Sequence, residues 1–116
     1  MKVLVTGAGG LIGSEAVKHF TKTSLVWGVD NNMRSRFFGP KGDVTDVISS
    51  LSRSSNYTHF NSDITDRESV DNIFEKIRPD VVIHCAAQPS HDKAASIPIL
   101  DFDVNARGTI LLLESF

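Results

Sequence analysis

The stretch VTGAGGLIGSEA, Val5 to Ala16, sets four glycines within seven residues between an apolar run and a segment of helical character. Glycines cost conformational entropy on folding, so several in one turn mark a place where backbone must bend sharply or lie close to another group. Gly7, Gly10 and Gly13 follow a G-x-x-G-x-x-G spacing directly after KVLVT. Between a strand and a helix, that spacing is the one a dinucleotide-binding turn requires. Gly7 permits the tight turn, Gly10 lets the backbone come up against a pyrophosphate, and Gly13 lets the helix pack on the strand, which leaves Gly9 as an extra glycine. The amides at the helix N-terminus then favour phosphate charge. A plain strand-to-helix turn is the competing reading of the glycines alone. A Walker loop does not fit, because five residues separate Gly7 from Gly13 and Ser14 stands where the lysine belongs.

Around this turn, the chain has the size and composition of one domain, with 116 residues of which 41% are hydrophobic. The formal net charge is −2 and the basic residues are scattered, which argues against nucleic acid and against an anionic membrane surface as partners. The apolar run before the glycines is too short for a signal peptide or a membrane span, so a cytoplasmic protein is expected. Cys85 is the only cysteine, which forbids an internal disulfide and suits a reducing compartment. Within its apolar run it reads as a core residue and not as a nucleophile.

Apolar, β-branched runs alternate with helix-period segments along the whole chain, the pattern of successive strand–helix units. KVLVT, SLVWGVD, NYTHF and DVVIHCAA are the predicted strands. Ile12, Ala16, Val17 and Phe20 give the first helix its apolar stripe, and NNMRSRFFGPKG reads as a loop. Val44, Val47, Ile48 and Leu51 suggest a second helix. Thr65 and Glu68 have capping-box spacing ahead of a third, whose stripe is Val70, Ile73, Phe74 and Ile77 and which Arg78-Pro79 ends. A last helix is predicted from near Pro98 to the end. The expected fold class is α/β, a Rossmann-type doubly wound parallel sheet, incomplete at about four strands with flanking helices.

Asp30 ends the second strand about 20 residues beyond the glycines, where a carboxylate accepts the ribose hydroxyls of an adenosine. It would also repel a 2′-phosphate, which favours NAD over NADP, although Arg34 and Arg36 lie near enough to soften that exclusion. A solvated strand-end residue is the alternative. Asp63 reads equally as a group for the adenine edge and as a turn residue of SDITD. Phe37-Phe38 reads as an adenine cap or as an anchor for its loop. S-adenosylmethionine enzymes share the glycine turn and the acidic strand end but usually lack the glycine inside the helix. His84 reads as a satisfied core residue, and His91 in QPSHDKAA reads as a residue that could face a substrate, with no visible partner. The four histidines lack the spacing of a metal site.

The segments VTGAGGLIGS, VDNNMR, SDITD, DVVIHCAAQPS and DFDVNARGT resemble, in that order, the extended short-chain dehydrogenase/reductase family of NAD-dependent sugar-nucleotide epimerases and dehydratases. DNNMRSRFFGP with AAQPSHDKAASIPILDFDVN is similar to the subgroup of CDP-paratose (tyvelose) 2-epimerases. The resemblance implies that Gly7, Gly10, Leu11, Ile12 and Gly13 line the pyrophosphate. It places Asp30, Asn31 and Asn32 at the adenosine ribose and Asp63 with Ile64 at the adenine. Ala86, Ala87 and Gln88 border the nicotinamide ribose, and Asn105 faces the site from its helix. It also implies a nucleotide-sugar substrate, CDP-linked in the subgroup resembled, and an epimerisation by hydride abstraction and return.

That chemistry needs a tyrosine held at a useful pKa by a lysine, supplied in the family as Y-x-x-x-K. The only tyrosine here is Tyr57, followed four residues later by Asn61, so no catalytic residue is assigned. In the family's strand order VVIHCAA would be a sheet edge, yet it has the apolar character of a strand with two neighbours. ILLLESF likewise ends without a capping glycine. Both predict that residues 1–116 are the N-terminal cofactor half of a longer enzyme whose catalytic part is absent. Two other readings stay open, a stand-alone NAD-binding sensor and an assembly module. The module would use the fourth-strand edge and the last helix, the same surfaces that would support a homodimer.

Overall fold

The first strand shows the logic of the fold, because its side chains alternate between two separate cores. A computed structural model describes residues 1–116. In β1 (Lys2–Thr6), Val3 and Val5 point to one side of the sheet and Leu4 to the other, and all three are fully buried. A strand buried on both faces is the centre of a doubly wound parallel sheet. β2 (Leu25–Val29), β3 (Tyr57–Phe60) and β4 (Val81–His84) complete it in the order β3-β2-β1-β4, every pairing parallel.

α1 (Leu11–Phe20) and α3 (Thr45–Leu51) cover one face, where Val3, Val5, Ala8, Val17, Val26, Leu51 and Tyr57 form a core. α4 (Arg67–Ile77) and the C-terminal helix cover the other. There the α4 stripe of Val70, Ile73, Phe74 and Ile77 meets Leu4, Val29, Ile64 and Leu111 with Leu112. The chain thus folds as the alternating pattern predicts, with β3 and β4 at the edges of a four-stranded sheet.

Several local expectations are corrected. Ile12 leaves the apolar stripe of α1 and is 72% exposed, because the helix begins at Leu11 and its first turn faces the end of the sheet. The NNMRSRFFGPKG segment is not a plain loop. It contains α2 (Met33–Phe38) and a 3-10 turn (Gly39–Gly42), begun by Asn32 in the left-handed region at φ 58°. The Thr65–Glu68 capping box does not form. Thr65 donates instead from its N–H and hydroxyl to Asp63 Oδ1, each at 2.8 Å, and α4 starts after Asp66, whose carboxylate accepts Ser69 Oγ–H.

β4 stops at His84, so Cys85, Ala86 and Ala87 belong to the loop beyond it, and Cys85 is only half-buried. His84 stands at the strand end, outside the core, exposed as a residue but with its ring partly desolvated, and both ring nitrogens lie near hydroxyls. A further helix, α5 (His91–Ser96), precedes the last one. That last helix runs from α6 (Pro98–Phe102) through a π-helical turn (Asp103–Arg107) into α7 (Gly108–Ser115). No helix is long and apolar enough to cross a membrane.

Candidate functional site

Parallel strands deliver their C-terminal ends to one edge of the sheet, and a crevice opens where the chain order reverses between neighbouring strands. Here the reversal lies between β1 and β4. A cleft of about 280 Å³ opens there, lined by the turn after β1, the end of β2, the segment after β3 and the loop after β4.

The glycine turn forms its floor. Gly7 sits at φ +67°, and a Cβ on it would stand 2.7 Å from Ala86 N. The turn and the β4 loop can therefore touch only through a glycine. At Gly13 a Cβ would stand 2.0 Å from the Gly7 carbonyl oxygen, so α1 packs on the turn through backbone alone. A Cβ on Gly10 would meet only that same oxygen, at 3.3 Å, with open space otherwise. Leu11, Ile12 and Gly13 hold the first-turn amides of α1, which have no acceptor inside the helix. No carboxylate occupies that first turn, while Lys18 and His19 lie at the far end, so the dipole leaves the cleft end positive. Gly9 is not an extra glycine. Its N–H donates to Asp30 Oδ2 at 2.9 Å, and the absence of a side chain lets Val44 of the α3 N-terminus close over it.

Asp30 stands at the end of β2 with Oδ2 toward this turn and Oδ1 accepting Asn32 N–H at 2.7 Å. Asn31, Met33 and Arg34 continue the wall, with the Arg34 guanidinium 5.2 Å from the Phe38 ring centroid. Neither Phe37 nor Phe38 lines the cleft. Asp63 forms the turn with Thr65 and also lines the cleft. Ile64, Cys85, Ala86 and Ala87 close the far wall, and burial raises the Cys85 thiol above its usual value.

The model of the NAD dependent epimerase/dehydratase family matches residues 3–116. The chain belongs to that family. Within it, the chain is 34% identical to the dTDP-glucose 4,6-dehydratase of Salmonella typhimurium, over 98% of this chain and 30% of that protein. It is 29% identical to the CDP-paratose 2-epimerase of Salmonella typhi, over 99% of this chain and 32% of that protein. Its fold matches the Thermus thermophilus UDP-glucose 4-epimerase solved with NAD, with TM-score 0.78 and 33% identity, over 99% of this chain and 33% of that one. The chain therefore spans about a third of the length of the curated relatives it matches.

Of the residues expected at the site, this epimerase/dehydratase-family chain brings Gly7, Gly10, Leu11, Ile12, Gly13, Asp30, Asn31, Arg34, Asp63, Ile64, Ala86 and Ala87 to one cleft. Three others stand behind it. The Asn32 side chain turns away to Asp43 Oδ1 and Val44 N–H, at 2.9 and 3.1 Å. Gln88 is buried, its amide held by Ser90 and Asp101, and its N–H donates to Asn105 Oδ1 at 2.9 Å. Asn105 thus faces the loop and not the cleft. Val29, Met33, Val44, Ser62, Cys85, Pro89 and Val104 line the cleft without having been singled out as site residues. All but Val44 lie in the segments that carry the family resemblance, next to residues assigned to the site, which was a usable signal.

Tyr57 lies in β3 on the α1 side, its hydroxyl 2.9 Å from His59 Nδ1. Burial first, and the Asp30 charge second, push its ionisation far above the usual tyrosine value. A phenol so placed stays protonated near neutral pH and does not supply a tyrosinate base. His91 is exposed at the start of α5, and no group of three or more His, Cys, Asp or Glu residues is arranged to hold a metal ion.

Proposed function

We propose that the cleft binds NAD and that this chain is the N-terminal cofactor-holding portion of a nucleotide-sugar epimerase or dehydratase. The observation that carries the reading is the pairing of a side-chain-free turn with a carboxylate across one crevice. Gly7 and Gly10 leave room for a pyrophosphate on the N-terminus of α1, and Asp30 stands where ribose hydroxyls would bond it. Asn31 and Arg34 flank that end, Asp63 and Ile64 the adenine side, and Ala86 and Ala87 the nicotinamide side. Bound NAD would supply the hydride acceptor, and the chain's own residues would bind and orient it. The Asp30 carboxylate favours NAD over NADP, with Arg34 at the rim to limit that preference.

The chain alone would hold the cofactor without turnover. Its one tyrosine is engaged in the sheet core beside His59, so the acid/base pair belongs to a further part of the protein. The similarity to a CDP-paratose 2-epimerase, with the DNNMRSRFFGP segment, supports a CDP-linked sugar and an isomerase reaction. Ile99, Phe102, Ile110 and Leu113 are exposed along the last helix, a surface suited to a homodimer. Backbone resonance mapping with NAD tests the binding. Shifts at Gly7, Gly10, Asp30 and Ala86 are expected, and shifts confined to other faces would refute the site.

A further inference from the structure

The hydrogen bonds behind the β4 loop close into a ring around one wall of the cleft. Thr6 Oγ1 accepts the N–H groups of Cys85 and Ala86, both at 3.2 Å, and lies 2.6 Å from His84 Nδ1. The opposite ring nitrogen, Nε2, lies 3.0 Å from Thr109 Oγ1. Thr109 donates its hydroxyl to the Asn105 carbonyl oxygen at 2.7 Å, and Asn105 Oδ1 accepts Gln88 N–H at 2.9 Å. The segment from Cys85 to Gln88 is therefore held at both ends, and His84 with Thr109 and Asn105 joins the two anchors.

Proton bookkeeping gives this ring a direction. A hydroxyl has one proton, and a carbonyl oxygen only accepts. The Thr109 proton is committed to the Asn105 carbonyl, so Thr109 Oγ1 must accept from His84 Nε2–H. In a neutral imidazole Nδ1 is then bare and takes the Thr6 hydroxyl proton, which leaves the Thr6 oxygen free to accept two amides. The opposite tautomer would set a bare Nε2 against an oxygen with no proton to give. It would also set Nδ1–H against Thr6, whose own proton would lose its acceptor in a fully buried place. Burial holds the ring below the usual histidine value, in keeping with a neutral state.

We propose that His84 is a positioning residue, fixed as the Nε2–H tautomer, which orients the Thr6 hydroxyl and so sets the Cys85–Gln88 wall of the cleft. Its effect on cofactor affinity rests on the reading of the cleft as an NAD site. The tautomer and the loop geometry do not.

The experiment is ring-nitrogen NMR on the ligand-free chain with labelled histidine, His84 being assigned with a His84→Gln variant. A protonated Nε2 and a bare Nδ1 at neutral pH are expected. Thr109→Val keeps the side-chain shape and removes the acceptor. It should mix the tautomers, move the Cys85 and Ala86 amide resonances, and weaken NAD binding roughly three- to tenfold. Thr109→Ser should restore all three. A protonated Nδ1 in the unaltered chain, or Cys85 and Ala86 amides that stay put in Thr109→Val, overturns the proposal. If the tautomer and amides behave as expected while the unaltered chain takes up no NAD, the cofactor reading fails and the role of His84 in setting the wall stands.

Discussion

The Asp30 carboxylate accepts the Gly9 N–H at 2.9 Å across 21 residues of sequence, tying the end of β2 to the glycine turn. Its other oxygen takes Asn32 N–H, so the residue proposed to bind a ribose already holds the glycine turn and the start of the segment after β2. Asp30→Ala should therefore act twice. Loss of a charged acceptor for two amides should cost about 2 kcal/mol of folding stability, and NAD affinity should fall more than about tenfold. Urea denaturation and an NAD titration of the same variant measure the two effects, and a variant unchanged in both would contradict the assignment.

Two glycines three residues apart, Gly10 and Gly13, separate folding from binding. Gly13→Ala puts a Cβ 2.0 Å from a backbone oxygen, where nothing flexible can yield, and should cost about 3 kcal/mol or more. Gly10→Ala meets a single atom at 3.3 Å and otherwise enters the cleft. It should leave the thermal midpoint nearly unchanged while weakening NAD binding about tenfold or more. Equal effects of the two substitutions on stability would contradict this geometry.

The Asn32 side chain bridges Asp43 and Val44 and closes the excursion that holds α2. Its φ of 58° is one glycine adopts freely and alanine does not. Asn32→Gly should lose only the bridge, and Asn32→Ala should be about 1 kcal/mol less stable still. Paired denaturation curves check the order, and alanine equal to glycine would contradict it.

Two histidines give the fold an acid limit. His59 and His84 both lie below the usual value of 6.5, in each case because burial penalises the charged ring, an effect the Asp30 charge partly opposes at His59. Above about pH 6.5 both folded and unfolded rings are neutral and contribute nothing to the pH slope. Below it the unfolded chain binds more protons, so stability should fall as the pH drops from about 7 to 5. Denaturation midpoints across that range should slope for the unaltered chain and slope less steeply in His59→Gln, where His84 still contributes. A flat profile for the unaltered chain would contradict the burial assigned to these rings.

What could be read from the sequence was what period and glycine spacing control. The alternation of Val3, Leu4 and Val5 and the Val70–Ile77 stripe are local patterns that tertiary packing reinforces, so the sheet and α4 follow from them. Ile12 obeyed helical spacing yet faces the cleft, because the helix starts too near the end of the sheet for its first turn to reach a core. α2 has no apolar stripe and is held by the Asn32 bridge, a contact spanning the whole excursion that no local pattern announces. α5 left one overlooked sign, Ser90 as an N-cap whose hydroxyl accepts Lys93 N–H at 3.2 Å, with Asp92 in the first turn. At the site, the residues that touch the cleft through backbone or a strand end were legible. Asn32, Gln88 and Asn105 were placed one layer too far forward, because sequence proximity to a site does not tell where an amide side chain turns.

The most direct measurement is calorimetric titration of the purified chain with NAD, run beside the Gly10→Ala variant. Saturable binding of one NAD per chain, weakened in Gly10→Ala, is the predicted result. No saturable heat with the unaltered, folded chain, or equal affinity in the two, would show that the glycine turn and Asp30 do not make an NAD site.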